Sequence, residues 1–317
     1  MMRFLILLWL GWGATASADV PERLEQAFRG WVDEAGVSEA VLTIWQGERH
    51  HRDVAIGMQA DAPVELASLS KAVTALCAAQ LIRKGRWTVG TQTDTYFSYF
   101  HEPLSVAELM THAGGLAPDE TQDRMADWLD QPGDRSMAAT RNALSRGKQR
   151  GVAGKFQYNN ENYAILAAMI AIETGEPYVS FCHRNVLEPA GVTSAMPSSR
   201  TGAMAGWGGW QMSVQDYARL MRWGFGPEGI IGANPAAWPD TNMGGGVFYG
   251  VGMTQRPFRG GMNYWHFGLL CFEARLTAGS YAVIWEGDWQ VVAAYEKCTS
   301  WEEMVRLDNL LARAVYQ

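Results

Sequence analysis

The chain lacks the sequence features of several large functional classes. Its net charge is −7 and it has no run of basic residues, which argues against a nucleic-acid partner. It has no Cys-x-x-Cys and no His-Glu-x-x-His, so neither a structural zinc site nor a zinc protease is predicted. It has no Gly-x-Ser-x-Gly, which disfavours the nucleophile elbow of an α/β-hydrolase. No Gly-Lys-Ser/Thr follows the glycines at 244–246, so these glycines are not predicted to form a phosphate loop. We therefore expect no metal, no cofactor and no phosphate loop.

The composition is that of an ordered globular protein. Hydrophobic residues make up 48% of the 317 positions and charged residues 19%. These proportions exclude a largely disordered chain. The length suffices for one large domain or for two that pack closely together.

The first eighteen residues have the pattern of a secretory signal peptide. Arg3 supplies a positive charge, an apolar run follows at 4–12, and small residues at 16–18 form a cleavage site. The run is short for a membrane span, although an uncleaved N-terminal anchor is the alternative. No later stretch is long and apolar enough for a transmembrane helix. We therefore expect an exported protein, periplasmic or secreted, without stable membrane insertion after cleavage.

Four cysteines remain in the chain, namely Cys77, Cys182, Cys271 and Cys298. An even number in an exported chain permits disulfides, but a domain of this size does not require them. Their spacing does not determine a pairing. Cys77 falls inside a predicted helix, where we expect a buried free thiol.

Apolar periodicity and capping residues predict a mostly helical middle. Predicted helices cover residues 21–35, 72–83, 106–111, 162–173, 178–187 and 213–223, with Ser213 as the N-cap of the last. Ser300 and Glu303 form a capping box that opens a final helix to about residue 316. We interpret the polar stretch 119–150 as an excursion at the edge of a cleft.

Strands are predicted near both ends of the chain. Residues 40–45 and 53–57 flank a polar turn, and residues 263–276, 281–286 and 289–295 form an antiparallel meander with turns at 277–280 and 287–288. The predicted fold class is α+β, an antiparallel sheet flanked by helices from both termini with an inserted, mostly helical domain. Residues 1–18 are the signal peptide, 19–65 and 240–317 the sheet domain, and 66–239 the helical domain, with a cleft between the two.

Ser68 and Lys71 are the most informative pair of residues. They lie three positions apart at the start of a helix, so the lysine amine can reach the serine oxygen. A serine hydroxyl is a weak nucleophile until a base takes its proton, and a lysine whose pKa is lowered by burial can be that base. The helix N-terminus favours a developing oxyanion. The spacing predicts nucleophilic catalysis, although Ser-x-x-Lys also recurs by chance.

Three further segments follow this pair in order. They are Thr-His-Ala-Gly-Gly at 111–115, Tyr-Asn-Asn at 158–160 and His-Phe-Gly at 266–268. The ordered set resembles the β-lactamase-related serine hydrolases and penicillin-binding proteins, which include class C β-lactamases, D-Ala-D-Ala carboxypeptidases, D-aminopeptidases and esterases. That family has Ser-x-x-Lys, then Tyr-x-Asn, then Lys- or His-x-Gly. The resemblance covers most of the mature chain and implies the β-lactamase fold.

The resemblance implies acyl transfer through a covalent intermediate. Ser68 would attack the carbonyl of an amide or ester and become acylated. Lys71 and Tyr158 would share the proton transfers, with the lysine cation favouring the phenolate. No cofactor would be needed, and the substrate would be a small molecule or a peptide.

The resemblance also implies four substrate-binding positions. Asn160 would donate to the substrate's amide oxygen and hold the lysine, and His266 would lie on the far wall of the cleft. The backbone N–H groups of Ser68 and Leu269 would form the oxyanion hole. Gly268 would leave room for substrate beside its strand.

His266 departs from the lysine that many relatives carry at this position. A histidine binds a carboxylate well only when it is protonated, and its reference pKa is about 6.5. The departure favours a peptidase, amidase or esterase, acting on D-amino-acid peptides, cell-wall fragments or esters. A class C β-lactamase and a non-catalytic penicillin-binding sensor are the alternatives. His266 as a core histidine and residues 158–160 as a plain turn also stay open, and His112 is interpreted as structural.

Overall fold

Strands from both ends of the chain form one eight-stranded antiparallel sheet, which the helices flank. The structure is a computed structural model that describes residues 19–98, 102–146, 151–272 and 274–317, so the signal peptide predicted at 1–18 lies outside the described residues. The helices α1 to α9 are Val20–Ala35, Ser70–Arg83, Val106–Met110, Thr121–Trp128, Ser136–Arg146, Glu161–Thr174, Tyr178–Cys182, Val214–Phe225 and Trp301–Tyr316. The strands β1 to β11 are Ala40–Gln46, Arg49–Ile56, Val64–Glu65, Met196–Pro197, Trp210–Met212, Thr241–Gly244, Val247–Tyr249, Thr254–Phe258, Gly261–Phe272, Leu276–Ile284 and Trp289–Tyr295.

The strand order of the large sheet is β2-β1-β11-β10-β9-β8-β7-β6. The N-terminal hairpin joins the C-terminal meander because β1 pairs with β11, with Val41 opposite Ala294. Helices α1 and α9 cover one face, where Phe28 and Leu311 belong to the same buried cluster. The predicted α+β class is confirmed. The division of the chain at 65/66 and 239/240 stays a prediction.

The two outermost strands of the sheet differ in character. β2 carries a run of basic and imidazole side chains at 49–52, and it starts at Arg49 rather than at the predicted Asp53 because it pairs with β1 along almost its whole length. β6 has only four residues and ends in the glycine run 244–246.

The predicted turn at 277–280 is wrong. These residues lie inside β10, which begins at Leu276, and β9 ends at Phe272. The small residues serve packing. A Cβ on Gly279 would come within 1.9 Å of the ring of Tyr295, and Ser280 Oγ donates to the carbonyl of Leu66 at 2.7 Å. The small residues that packing requires here were therefore interpreted as a turn.

The helical part is centred on α2 and α6. Eleven of the 14 residues of α2 and ten of the 14 residues of α6 are buried, so both helices lie largely within the core. The polar stretch 119–150 contains two helices that the sequence did not predict, α4 and α5. Within the described ranges no single helix is long and apolar enough to span a membrane, and only the bent pair Glu161–Thr174 and Tyr178–Leu187 passes by length and composition.

All four cysteines form disulfides, so the expected free thiol at Cys77 is wrong. Cys77 in α2 bonds to Cys182 at the end of α7, with 5.5 Å between their Cα atoms. Packing of α7 against α2 brings them together across 105 residues of sequence, which no spacing rule indicates. Cys271 of β9 bonds to Cys298, just before α9.

Candidate active site

Ser68 lies in a tight turn that precedes α2. The turn is a 3-10 helix at Ala67–Leu69, and Ala67 has a φ of 48°, in the left-handed region that side chains disfavour. The carbonyl of Leu66 accepts from Ser280 Oγ, and its N–H donates to the carbonyl of Trp210 at 3.0 Å. Ser280 lies in the large sheet and Trp210 in a small three-stranded sheet of order β3-β5-β4, so contacts from two sheets hold the nucleophile's backbone.

Gly268 is needed for a reason that its sequence context does not indicate. A Cβ on Gly268 would lie 2.2 Å from Ser280 Oγ and 2.6 Å from the carbonyl oxygen of Leu66. The missing side chain thus lets β9 approach the serine turn from behind. Gly268 also lines the cavity, so the predicted room for substrate beside its strand stays a prediction.

Lys71 is fully buried and points at the serine. Its Nζ donates to Ser68 Oγ at 3.1 Å and to the carbonyl of Trp207 at 2.9 Å. Burial lowers the pKa of Lys71 to about 7, with the carboxylate of Asp119 opposing the shift. A substantial fraction is therefore neutral amine at neutral pH, which is the form that accepts a proton.

Tyr158 approaches the serine from the other side. Its Oη donates to Ser68 Oγ at 2.9 Å, and its ring centroid is 4.9 Å from Lys71 Nζ. Desolvation raises the pKa of Tyr158 above that of a free phenol. The phenol therefore stays protonated, so Lys71 is the stronger candidate base, and Tyr158 is a hydrogen-bond donor and proton donor.

His112 supports the segment that carries Tyr158. Its carbonyl accepts from the N–H of Gln157 at 2.9 Å, and its Nδ1 accepts from the N–H of Asn159 at 3.3 Å and from Asn162 Nδ2 at 3.0 Å. Its ring lies 4.4 Å from that of Tyr158. Burial, then the Lys71 charge, holds the pKa of His112 well below its usual range. The structural role expected for His112 agrees with these contacts.

Asn160 lies in the site but does not hydrogen-bond to Lys71. Its Nδ2 donates to Thr121 Oγ1 at 3.1 Å, and its N–H donates to Asp119 Oδ2 at 2.9 Å. The carbonyl of Trp207 occupies the second hydrogen bond of Lys71 instead. Asn160 still lines the cavity beside Ser68, where it can contact substrate.

His266 lies on the opposite wall as a neutral imidazole. Its Nδ1 donates to the carbonyl of Phe267 at 2.6 Å, so Nε2 accepts from Tyr249 Oη at 3.1 Å. Burial and the nearby Lys71 charge lower the pKa of His266 to about 3. This side chain is 5% exposed and supplies no cation at neutral pH.

These residues surround a cavity of about 380 Å³. Pairing of β9 with β8 ends at Trp265, so the next residues of β9, including Leu269, line the cavity beyond the end of β8. The N–H groups of Ser68 and Leu269 remain the predicted oxyanion hole. The structure thus brings Ser68, Lys71 and Tyr158 into contact, and the other four predicted positions line or support the same cavity.

Several cavity residues were not identified from the sequence. Met243 of β6, Tyr249 of β7, and Trp301 and Met304 of α9 come from three separate elements and carry no motif. Only the glycine run after Met243 hinted at a hairpin there. No group of three or more His, Cys, Asp or Glu side chains that could hold a metal ion occurs in the part of the chain that the structure describes.

A family model described as Beta-lactamase matches residues 24–295. The chain belongs to the beta-lactamase family. This family match includes the serine turn, the Tyr158 segment and β9, so it covers all seven site residues predicted from the sequence, whereas Trp301 and Met304 of the cavity lie beyond it.

Solved structures share the beta-lactamase fold of this chain. The octameric penicillin-binding protein homologue from Pyrococcus abyssi has a TM-score of 0.76 at 18% identity, covering 93% of this chain and 77% of that one. The D-amino acid amidase from Ochrobactrum anthropi SV3 has a TM-score of 0.71 at 15% identity, covering 92% and 98%. Identities this low show likeness of fold alone.

Curated relatives match a shorter part of this beta-lactamase-family chain. Penicillin-binding protein 4* of Bacillus subtilis (strain 168) is 28% identical over 143 residues, which are 43% of this chain and 31% of that protein. Protein flp of Staphylococcus aureus (strain N315) is 24% identical over 136 residues, 41% of this chain and 27% of the relative. Each match covers less than a third of the relative's length.

Proposed function

We propose that this protein is an exported serine hydrolase that cleaves an amide or ester through an acyl-Ser68 intermediate. One observation supports this most directly. Ser68 Oγ accepts hydrogen bonds from both Lys71 Nζ and Tyr158 Oη, at 3.1 and 2.9 Å, at the wall of an open cavity. This arrangement supplies a nucleophile, a base and a proton donor.

In acylation, neutral Lys71 takes the Ser68 hydroxyl proton while Oγ bonds to the substrate carbonyl carbon. The carbonyl electron pair moves to its oxygen, and the N–H groups of Ser68 and Leu269 stabilise the resulting charge. The tetrahedral species then expels the amine or alcohol, which takes a proton from Tyr158 Oη. The phenolate recovers a proton from the Lys71 ammonium.

In deacylation, water attacks the ester of Ser68 and gives a proton to Lys71. The bond to Oγ breaks, and the serine oxygen recovers that proton. The net reaction consumes one water and releases a carboxylic acid with the amine or alcohol. Each proton therefore returns to its starting group, and no further reactant is required.

Export is supported by the signal-like residues 1–18 and by the disulfides. Cys77–Cys182 and Cys271–Cys298 account for all four cysteines. Disulfides persist in oxidising compartments and are rare in a reducing cytosol. The periplasm or the extracellular medium is the proposed location.

A class C β-lactamase is less well supported. β-Lactams carry a carboxylate, and the neutral, buried imidazole of His266 offers it no fixed positive charge. We therefore expect slow or absent hydrolysis of nitrocefin.

The test is intact mass after exposure to a neutral alkyl fluorophosphonate, together with steady-state hydrolysis of p-nitrophenyl esters. We expect one adduct on the wild type, none on Ser68→Ala, and ester turnover that the same substitution abolishes. An adduct that persists in Ser68→Ala would refute the nucleophile. A stoichiometric burst without turnover of any ester would instead indicate a non-catalytic receptor.

A further inference from the structure

The cavity around Ser68 is lined by side chains that carry no formal charge at neutral pH. None of its described lining residues is Asp, Glu, Lys or Arg. His266 is its one imidazole, and both ring nitrogens are occupied, by the carbonyl of Phe267 and by the hydroxyl of Tyr249. An ionic group on a substrate would therefore find no partner of opposite charge among the described residues that line the cavity.

The charged groups Asp119 and Lys71 lie outside the cavity lining and are already hydrogen-bonded. Asp119 does not line the cavity. Its Oδ1 accepts from the N–H and Oγ1 of Thr121 at 3.1 and 2.6 Å, and its Oδ2 accepts from the N–H of Asn160 and from Gln122 Nε2 at 2.9 and 3.3 Å. Lys71 is fully buried and bonded to Ser68 and the Trp207 carbonyl. Neither group is free to bind a substrate's ammonium or carboxylate.

Six apolar side chains contribute to the cavity lining, some of them open to solvent, and we call this set the wall. Its side chains are thioethers, an indole, a phenyl ring and a leucine: Met125, Met243, Met304, Trp301, Phe156 and Leu270. Met243 is 40% exposed and Trp301 61% exposed, although both border the site. Methionine side chains adapt to irregular apolar shapes, so this wall suits a flexible hydrocarbon group.

We propose that the site selects uncharged acyl compounds, namely esters or N-substituted amides whose apolar acyl chain lies on the wall formed by these methionines and Trp301. This inference rests on the proposed function. Burying an unpaired carboxylate or ammonium against such a surface costs desolvation free energy. Burying a hydrocarbon chain there carries no such cost. Peptides with a free terminal carboxylate near the scissile bond, and amino-acid amides with a free ammonium, are the substrates it disfavours.

The test compares three p-nitrophenyl esters of the same acyl length: hexanoate, the adipate monoester and 6-aminohexanoate. They differ only in the chain end, which is methyl, carboxylate or ammonium. We expect kcat/KM for hexanoate to exceed both others by roughly 10- to 100-fold. Equal or higher values for adipate would reveal a cation in the site, equal or higher values for 6-aminohexanoate would reveal an anion, and either result overturns the inference.

A matched pair of variants tests whether the wall is responsible. Met243→Lys places an ammonium on the wall and should raise the adipate-to-hexanoate ratio at least about tenfold. Met196→Lys is the control, because Met196 is also exposed, at 48%, but lies outside the cavity. It should leave the ratio unchanged. An unchanged ratio in Met243→Lys, with native thermal unfolding, would count against the proposed wall.

Fluorophosphonate labelling separates failure of this inference from failure of the proposed function. Loss of the Ser68 adduct would refute the nucleophile itself. An intact adduct with preference for a charged ester, or with no acylation of Ser68 by hexanoate, would refute only the selection of uncharged acyl groups.

Discussion

Burial acts in opposite directions on Lys71 and Tyr158, and this divides the proton work between them. It favours the neutral amine of Lys71, whose pKa falls to about 7, and the neutral phenol of Tyr158, whose pKa rises. The family resemblance implied a lysine cation that favours a phenolate. At neutral pH a substantial fraction of Lys71 is instead neutral amine while Tyr158 keeps its proton, so Lys71 is the group that can take the proton of Ser68.

The pH dependence of hydrolysis should follow Lys71. Below pH 7 the amine is protonated and cannot accept the serine proton, so kcat/KM for a neutral ester should fall about tenfold per pH unit. Above pH 8 it should reach a plateau. Lys71→Arg carries a permanent charge. Its kcat/KM should be about 10²- to 10⁴-fold lower than that of the wild type, and the fall in kcat/KM below pH 7 should disappear. If kcat/KM of this variant still falls below pH 7, another group is responsible for the pH dependence.

Removing the Tyr158 hydroxyl should reduce turnover without unfolding the protein. Tyr158→Phe keeps the ring next to His112 but loses the donor to Ser68 Oγ. We expect kcat to fall by about 10²- to 10⁴-fold with a melting temperature close to that of the wild type. Tyr316→Phe, at the end of α9, is the control and should keep full activity. Near wild-type kcat in Tyr158→Phe would remove Tyr158 from the mechanism.

At the scale of elements, the site depends on close approach between β9 and the turn before α2. Gly268 permits this approach, because a Cβ would come within 2.6 Å of the Leu66 carbonyl. The loop after α3 and the segment before α6 are joined in turn by His112, which bonds on both sides of Tyr158. The catalytic groups are therefore aligned by contacts between elements distant in sequence.

Two glycine substitutions should change the free energy of unfolding in opposite directions. Gly268→Ala should cost about 1–3 kcal/mol of stability through overpacking and should lower kcat by displacing the serine turn. Gly30→Ala, inside α1 with nothing within 4 Å of the added Cβ, should stabilise by about 0.5–1 kcal/mol. Chemical denaturation and ester hydrolysis measure both. Equal effects of the two would contradict the proposed packing role.

Replacing His112 should affect Tyr158 as well as stability. His112→Phe keeps an aromatic ring but leaves the N–H of Asn159 and the amide of Asn162 without their acceptor, at about 1–3 kcal/mol for each buried donor. We expect a lower melting temperature and a lower kcat with little change in KM. A stable variant with full activity would show that the bonds to His112 are dispensable.

At the scale of the molecule, the two disulfides differ in accessibility. Cys77 and Cys182 are buried, whereas Cys271 and Cys298 lie at the surface. A reductant followed by an alkylating agent should label Cys271 and Cys298 in the native protein, and Cys77 and Cys182 only after unfolding. Peptide mass mapping measures this. Early labelling of Cys77 would contradict the packing of α7 against α2.

Local chemistry was predictable from the sequence itself, whereas contacts between distant segments were predictable only where the family resemblance implied them, as for Tyr158 and Ser68. Ser68, Lys71 and the Ser300–Glu303 capping box depend on neighbours three residues away, and the structure contains all of them. Gly279 and Ser280 were wrongly predicted to lie in a turn, because their small size serves packing across the sheet. The cavity wall and the disulfide pairing arise only when segments far apart in the chain meet.

The unequal outer strands of the large sheet have a consequence for how copies of this protein meet. Unpaired backbone groups on the edge strand of a sheet can form hydrogen bonds with a strand of a second copy. β2 carries charged side chains along one edge, including Arg49 and the Arg52–Glu25 ion pair, and charged side chains on an edge strand discourage such addition. The four-residue β6 offers the other edge little length for a stable ladder, so the two edges oppose strand addition in different ways.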